Sequence, residues 1–348
     1  MKKILLFLII LIFWSCKKDK TEEIIFENKR INLNIPSNFP KIEYDLENNY
    51  PTKYGVELGK KLFFDPRLSL DNTISCSKCH QQKFAFTDPT EIRTHRAVGV
   101  EGRIGMRNTP PIQNALFLDK FMWDGVITEL HRQPIVPIVT DEEMGETLEG
   151  VENKIKNDPE YKSLFKKAFG EENFSRDGML KAITQYMITL ISANSKYDKV
   201  TRDKTENFTV LEQKGFDIFK QKCISCHSTD LFTDQTLRNI GIPYNPDTED
   251  DGFRRGTGKQ EDFLKFKVPS LRNIEYTAPY GHDGRYASLK DFLDFLDNGV
   301  QDFPNLDHEM RKYFPQTGKL GIPLTEEEKN ALIAFMKTLS DKEFTGRK

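Results

Sequence analysis

Apolar residues along this 348-residue chain recur mostly at helical spacing. Leu58, Leu62 and Phe63 share one face of the stretch 55–64. Val151 and Ile155, then Tyr161, Leu164, Phe165, Ala168 and Phe169, mark helices between 146 and 200. A largely apolar helix runs from Ala182-Ile183 to Leu190-Ile191 and is expected near an interface between domains. Leu211, Gly215, Phe216 and Phe219 mark another. Thr325-Glu326-Glu327-Glu328 is a capping box ahead of Leu332, Phe335 and Leu339. That last helix is expected to pack on the first helix of its own domain. Alternating strand patterns are scarce, so the predicted class is mainly α.

The pattern also repeats. Gly59 to Phe63 and Gly215 to Phe219 both read G-x-x-[Leu/Ile]-Phe, where a glycine lets a second helix approach closely. Further on, Met106-Arg107-Asn108, Trp123-Asp124-Gly125 and Leu130 are echoed by Leu271-Arg272-Asn273, His282-Asp283-Gly284 and Leu289. Ordered self-similarity of this kind indicates an internal duplication. The length is also that of two domains, placed at 46–200 and 201–348.

Each half carries one C-x-x-C-H, at Cys76-Ser77-Lys78-Cys79-His80 and Cys223-Ile224-Ser225-Cys226-His227. This is the attachment signature of c-type haem. Two thiols add to the haem vinyl groups, and the His that follows is held beneath the iron as its proximal ligand. The alternatives are a four-cysteine zinc site or two short disulfides. Zinc leaves the His after each pair unexplained, and disulfides within such short motifs constrain little. Two covalent haem c groups are therefore expected, one per cytochrome c-type domain with long loops.

The fifth cysteine is Cys16. Met1-Lys2-Lys3 and a short apolar run to Trp14 read as an export signal, too short for a confident membrane span. Ser15-Cys16 before Lys17-Lys18-Asp19-Lys20 resembles a lipoprotein cleavage site, which makes residues 1–16 a signal peptide and Cys16 a lipidated terminus. Residues 17–45 read as a polar tether. The expected location is periplasmic, with the membrane reached only through that anchor. A formal net charge of −2 gives no reason to expect a nucleic-acid partner.

Several linked motifs resemble the bacterial di-haem cytochrome c peroxidase superfamily, including its methylamine-utilisation maturase branch, over about residues 45–342. They are Cys76–His80 with Phe84-Ala85-Phe86-Thr87-Asp88, Gly105 to Pro110, Phe121 to Gly125, Gln133 to Met144, Cys223–His227, and Phe266 to Gly284. The resemblance implies peroxide chemistry at the first haem and electron entry at the second. Trp123 matches the relay between the haems. Gln133, Pro137 and Glu143 match the pocket over the peroxidatic haem, where a carboxylate moves a proton from one peroxide oxygen to the other. Asn108, Thr277 and Pro279 match a calcium site, Asn108 through its side-chain oxygen and the others through their carbonyls.

Departures from the family pattern matter. Val100 stands where some members carry a distal His, so the first haem is expected to be open. His95 is off register and is read as an exposed loop residue. Leu296 stands where the sixth ligand of the second haem usually lies, which leaves Met310 or His308 as substitutes. His131 and His282 are read as structural, and Val126 replaces an Arg in the first D-G turn. The implied activity is reduction of hydrogen peroxide to water with electrons from a small cytochrome c or cupredoxin. The alternatives are an oxidase that modifies a partner protein, favoured by Val100 and disfavoured by the loss of a Tyr at 296, and a non-catalytic electron carrier. A homodimer is left open.

Overall fold

A computed structural model describes residues 28–88, 96–170 and 173–347. Cys16, the signal segment and His95 lie outside them. The described chain is mainly helical. Its helices are α1 (Lys53–Phe64), α2 (Cys76–Cys79), α3 (Ile135–Val139), α4 (Leu148–Ile155), α5 (Pro159–Phe169), α6 (Arg176–Ile188) and α7 (Lys196–Thr201), followed by α8 (Val210–Lys222), α9 (Arg254–Thr257), α10 (Leu289–Asn298), α11 (His308–Arg311), α12 (Phe314–Thr317) and α13 (Glu326–Lys337). Among the described residues, regular β-structure is one antiparallel pair, β1 (Leu237–Arg238) with β2 (Phe266–Lys267).

Local signals set the helix ends. Thr52 caps α1, its side chain accepting from the Gly55 N–H. Thr209 with Glu212 and Thr325 with Glu328 form full capping boxes on α8 and α13. The apolar faces go where their spacing sends them. Leu58, Leu62 and Phe63 of α1 are buried, as are Leu332, Phe335 and Leu339 in and just past α13. Leu211 does not follow the pattern: it sits in the first turn of α8, is 46% exposed, and leaves Gly215, Ile218 and Phe219 to form the buried face.

The two glycines of the repeated motif do the same job. A Cβ on Gly59 would stand 1.8 Å from the Ala182 carbonyl oxygen, and one on Gly215 would stand 1.9 Å from that of Ala331. Both distances are far inside van der Waals contact. Only glycine lets α1 cross α6, and α8 cross α13, at this separation. The 182–191 stretch is thus the counterpart of the closing helix: α6 lies in the first core against α1, and the segment after it meets the second half. There the Asn114 side chain donates to the Ser192 carbonyl and accepts from the Ser192 N–H, while Asp341 accepts from Ala193 and Asn194 N–H.

Buried apolar residues form two main clusters, one centred on α1, α4, α5 and α6 and the other on α8, α10 and α13. Rings of Tyr197, Phe216, Phe219, Phe232 and Phe335 interlock in the second. From residue 28 onward the segment ahead of α1 lies against the first core through Leu33, Phe39, Ile42 and Tyr44. No helix among the described residues is long and apolar enough to cross a membrane.

Candidate functional site

Each C-x-x-C-H sits on a short helical turn, and each His is oriented by the loop that follows it. His80 Nδ1 donates to the Phe86 carbonyl at 2.8 Å, and His227 Nδ1 donates to the Phe232 carbonyl at 2.8 Å. A carbonyl can only accept, so this bond places the proton on Nδ1 and leaves the Nε2 lone pair free for iron. Phe86 and Phe232 both adopt left-handed backbone, φ 60° and 57°, which turns their carbonyls toward the rings. Burial lowers both imidazole pKa values and so favours the neutral, ligating form. These carbonyls were missed in the sequence, yet a signal was present: Phe-Thr-Asp follows both motifs, at Phe86-Thr87-Asp88 and Phe232-Thr233-Asp234.

No disulfide joins the cysteines of the two motifs. Burial pushes Cys76, Cys79 and Cys223 up to about 12. Among the described residues no three His, Cys, Asp or Glu side chains converge as a metal cluster. What lies beside the second motif is a deep, mainly apolar cavity. Cys223, Cys226 and His227 line it with Phe219, Ile240, Ile242, Leu264, Leu293 and Met336. Apolar walls around two thiols and a neutral His fit a haem c held at Cys223, Cys226 and His227. The chemistry of the donor set at Cys76, Cys79 and His80 fits a second.

Trp123 links the two halves. It lines the cavity of the second motif and also a smaller adjoining one with Met122, Gln113 and Pro110. Its indole N–H donates to the Asn108 carbonyl at 2.8 Å, and its own carbonyl accepts from the Lys267 N–H at 2.8 Å. Next along the chain, Met122 has left-handed backbone and its Sδ accepts from Gln133 Nε2 at 3.6 Å. A chain of contacts thus runs from the His227 cavity through Trp123 and Met122 to Gln133.

Pro137 and Glu143 belong to one turn after Gln133. The Met144 N–H donates to the Pro137 carbonyl, and the Glu143 N–H to that of Thr140. The Glu143 carbonyl in turn accepts from the Val100 N–H at 2.8 Å. Val100 is fully buried and apolar, so it offers iron no ligand. The Glu143 carboxyl is pushed up to about 7, first by burial and then by the nearby Glu142 charge, against the pull of Arg107. Its charge also contributes to the raised pKa of both Cys76 and Cys79, which places it in electrostatic range of the first motif.

Arg107 was noted in the sequence only as part of a repeat. It pairs with Asp124 at 2.6 Å and with Asp250 at 2.7 Å, which ties the first half to the second beside Trp123. Its counterpart Arg272 is fully buried on Asp198 instead, and its Nε donates to the Asp230 carbonyl in the loop that orients His227. His282 stacks on Phe266 with ring centroids 3.9 Å apart, and its carbonyl accepts from the Asn108 N–H. His131 is partly exposed beside Glu129.

Asn108, Thr277 and Pro279 line the same cavity wall. Asn108 Nδ2 donates to the Pro279 carbonyl at 2.7 Å. Turning that amide over, a choice that rests on the surrounding hydrogen bonds, would present Oδ1 beside the Pro279 oxygen. Neutral oxygens of this kind suit calcium. Of the two substitute ligands, Met310 is buried and lines the cavity with His227 and Leu296, whereas His308 is 81% exposed beside Asp307 and Glu309.

A family profile described as di-haem cytochrome c peroxidase matches residues 53–206. The methylamine utilization protein MauG of Methylorubrum extorquens is 33% identical over 288 residues, covering 82% of this chain and 77% of that one. Cytochrome c551 peroxidase of Nitrosomonas europaea is also 33% identical, covering 82% and 79%. A crystal structure of a MauG-like protein associated with microbial copper homeostasis superposes with a TM-score of 0.78 at 29% identity, covering 90% of this chain and 97% of that one. The chain belongs to the di-haem cytochrome c peroxidase family.

Proposed function

We propose that this protein is a periplasmic di-haem peroxidase that reduces hydrogen peroxide to water with electrons from a small cytochrome c or cupredoxin. The observation that carries this reading is Glu143, a carboxyl held near neutrality in range of the first haem motif. A group with that pKa accepts and returns a proton equally well at neutral pH. Two haem c groups, which Cys76, Cys79 and His80 and Cys223, Cys226 and His227 would hold, would supply electron storage and the iron that peroxide chemistry needs.

Glu143 takes the proton from one peroxide oxygen and delivers it to the other, so that oxygen leaves as water. The Gln133 amide orients peroxide, and Pro137 narrows the space beside it. Trp123, fixed at both its indole nitrogen and its backbone, gives electrons a short route between the halves. Two electrons and two protons per peroxide yield two waters. Asn108, Thr277 and Pro279 would offer their oxygens to a calcium ion beside Trp123. Met310, buried and lining the same cavity as His227, would be the side chain available to the iron of the second haem where Leu296 offers none. Export through residues 1–16 and lipidation at Cys16 keep the enzyme on the membrane surface.

A second reading is a maturase-like oxidase acting on a partner protein, and buried Val100 favours it because that position offers no distal His. Stoichiometry separates the two. The peroxidase oxidises two equivalents of one-electron donor per peroxide consumed and releases no oxygen. If peroxide oxidises the protein but no small donor is consumed in turnover, the peroxidase reading is wrong.

A further inference from the structure

Three cations line the cavity beside His227: Lys222, Arg238 and Lys267. Two have partners. Lys222 pairs with Glu328 at 2.7 Å, and Arg238 pairs with Asp234 at 2.7 Å and Asp307 at 3.0 Å. Lys267 has no side-chain hydrogen bond or ion pair among the described residues. It is nevertheless fixed in place: β2 pairs it with Leu237, and its N–H donates to the Trp123 carbonyl.

Its position is specific. Lys267 lines both the large cavity and the smaller one shared with Trp123 and Gln113. Gln113 is itself almost wholly buried, and its Oε1 has no partner. Burial pushes the Lys267 amine down to about 8; Asp119 opposes this, and Lys120 adds to it. Asp119 acts on the ammonium only at a distance, with no hydrogen bond or ion pair between them, and an ammonium held largely out of water is costly unless an anion meets it. A haem in this cavity brings two such anions, its propionate carboxylates.

We propose that Lys267 is the residue that receives a propionate of the second haem, at the wall this cavity shares with Trp123. The proposal rests on the two-haem reading above. Its consequence is electrostatic: a fixed positive charge near the haem favours the state with one more electron, and so raises the potential of the haem that accepts electrons from the donor.

The test uses full-length protein shown to carry two haems per chain. Wild type, Lys267→Met, Lys267→Arg and Asp119→Asn are titrated potentiometrically, with the two haems followed by their separate spectra. In Lys267→Met the ferrous-to-ferric ratio of the second haem at a fixed potential is expected to fall about tenfold, a shift of about 59 mV for a one-electron couple. Lys267→Arg keeps the charge and stays within about threefold of wild type, and Asp119→Asn, which removes a negative charge, does not lower the ferrous-to-ferric ratio of the second haem. The infrared carboxylate bands of the propionates shift in Lys267→Met alone. An unchanged second haem in two-haem Lys267→Met, a shift confined to the first haem, or an equal shift in Asp119→Asn overturns the proposal. A wild-type chain that holds fewer than two haems contradicts the two-haem reading instead.

Discussion

Replacing Glu143 with Gln should make the protein more stable and less active, each to a degree set by the same burial. The carboxyl is moved from the ordinary 4.5 to about 7. Ionising it in the folded state therefore costs roughly 3 kcal/mol more than in the unfolded chain, and about 2 kcal/mol is a fair expectation because Glu143 keeps some contact with solvent. The sign follows from proton binding. Between pH 4.5 and 7 the folded state holds the proton and the unfolded state releases it, so stability falls as pH rises through that window. Wild type carries this cost above pH 7, and Glu143→Gln never does. Denaturant melts of the two-haem proteins at pH 5 and pH 8 measure it. The variant should exceed wild type by less than about 1 kcal/mol at pH 5, where only the start of the window has been crossed, and by about 2 kcal/mol at pH 8. Peroxide turnover at pH 7 should fall roughly 10²–10⁴-fold, the usual contribution of a positioned acid/base group. A variant that gains no stability at pH 8, or that turns over at the wild-type rate, would refute the assignment of a raised, proton-transferring Glu143.

Other expectations follow from the packing and the relay. Gly215→Ala drives a methyl to 1.9 Å from the Ala331 carbonyl oxygen, so α8 and α13 must part; a loss of about 3 kcal/mol in thermal or denaturant unfolding is expected, and an unchanged melt would show that the crossing is looser than described. Trp123→Phe removes the N–H bonded to the Asn108 carbonyl while keeping an aromatic ring; inter-haem electron transfer followed by flash photolysis should slow by at least tenfold with both haems retained. Met310→Leu should abolish the near-infrared band of thioether-ligated ferric haem and lower the potential of the second haem; persistence of that band would leave Met310 as packing.

Much of this arrangement was legible because it depends on short-range pattern. The C-x-x-C-H spacing singles out His80 and His227 directly, and the capping boxes at Thr209 and Thr325 mark helix starts within a single turn. The repeated glycine motif even indicated close helix crossings, although not that α6 would be the helix meeting Gly59. That pairing joins residues more than 120 apart, and nothing in the 182–191 stretch distinguishes one apolar neighbour from another. Leu211 was misplaced because a spacing pattern does not say where a helix leaves its core. The partners of Arg107 are of the same kind: Asp124 and Asp250 come from different parts of the chain, so an Arg-Asn repeat looks alike in both halves while Arg107 faces Trp123 and Arg272 lies sealed on Asp198. Lys267 had no signal of its own, since a lysine in a strand ordinarily points to water. The family pattern already singled out Glu143 within Asp141-Glu142-Glu143, but its raised pKa depends on burial that the acidic run does not show.

The most direct test of the central claim is steady-state oxidation of a reduced small cytochrome by hydrogen peroxide, on protein verified to carry two haems. A peroxidase gives rapid, sustained turnover that is lost in Glu143→Gln. No turnover with any of several cytochrome or cupredoxin donors, together with a long-lived oxidised haem spectrum after peroxide, would contradict the peroxidase and support an oxidase that acts on a partner protein.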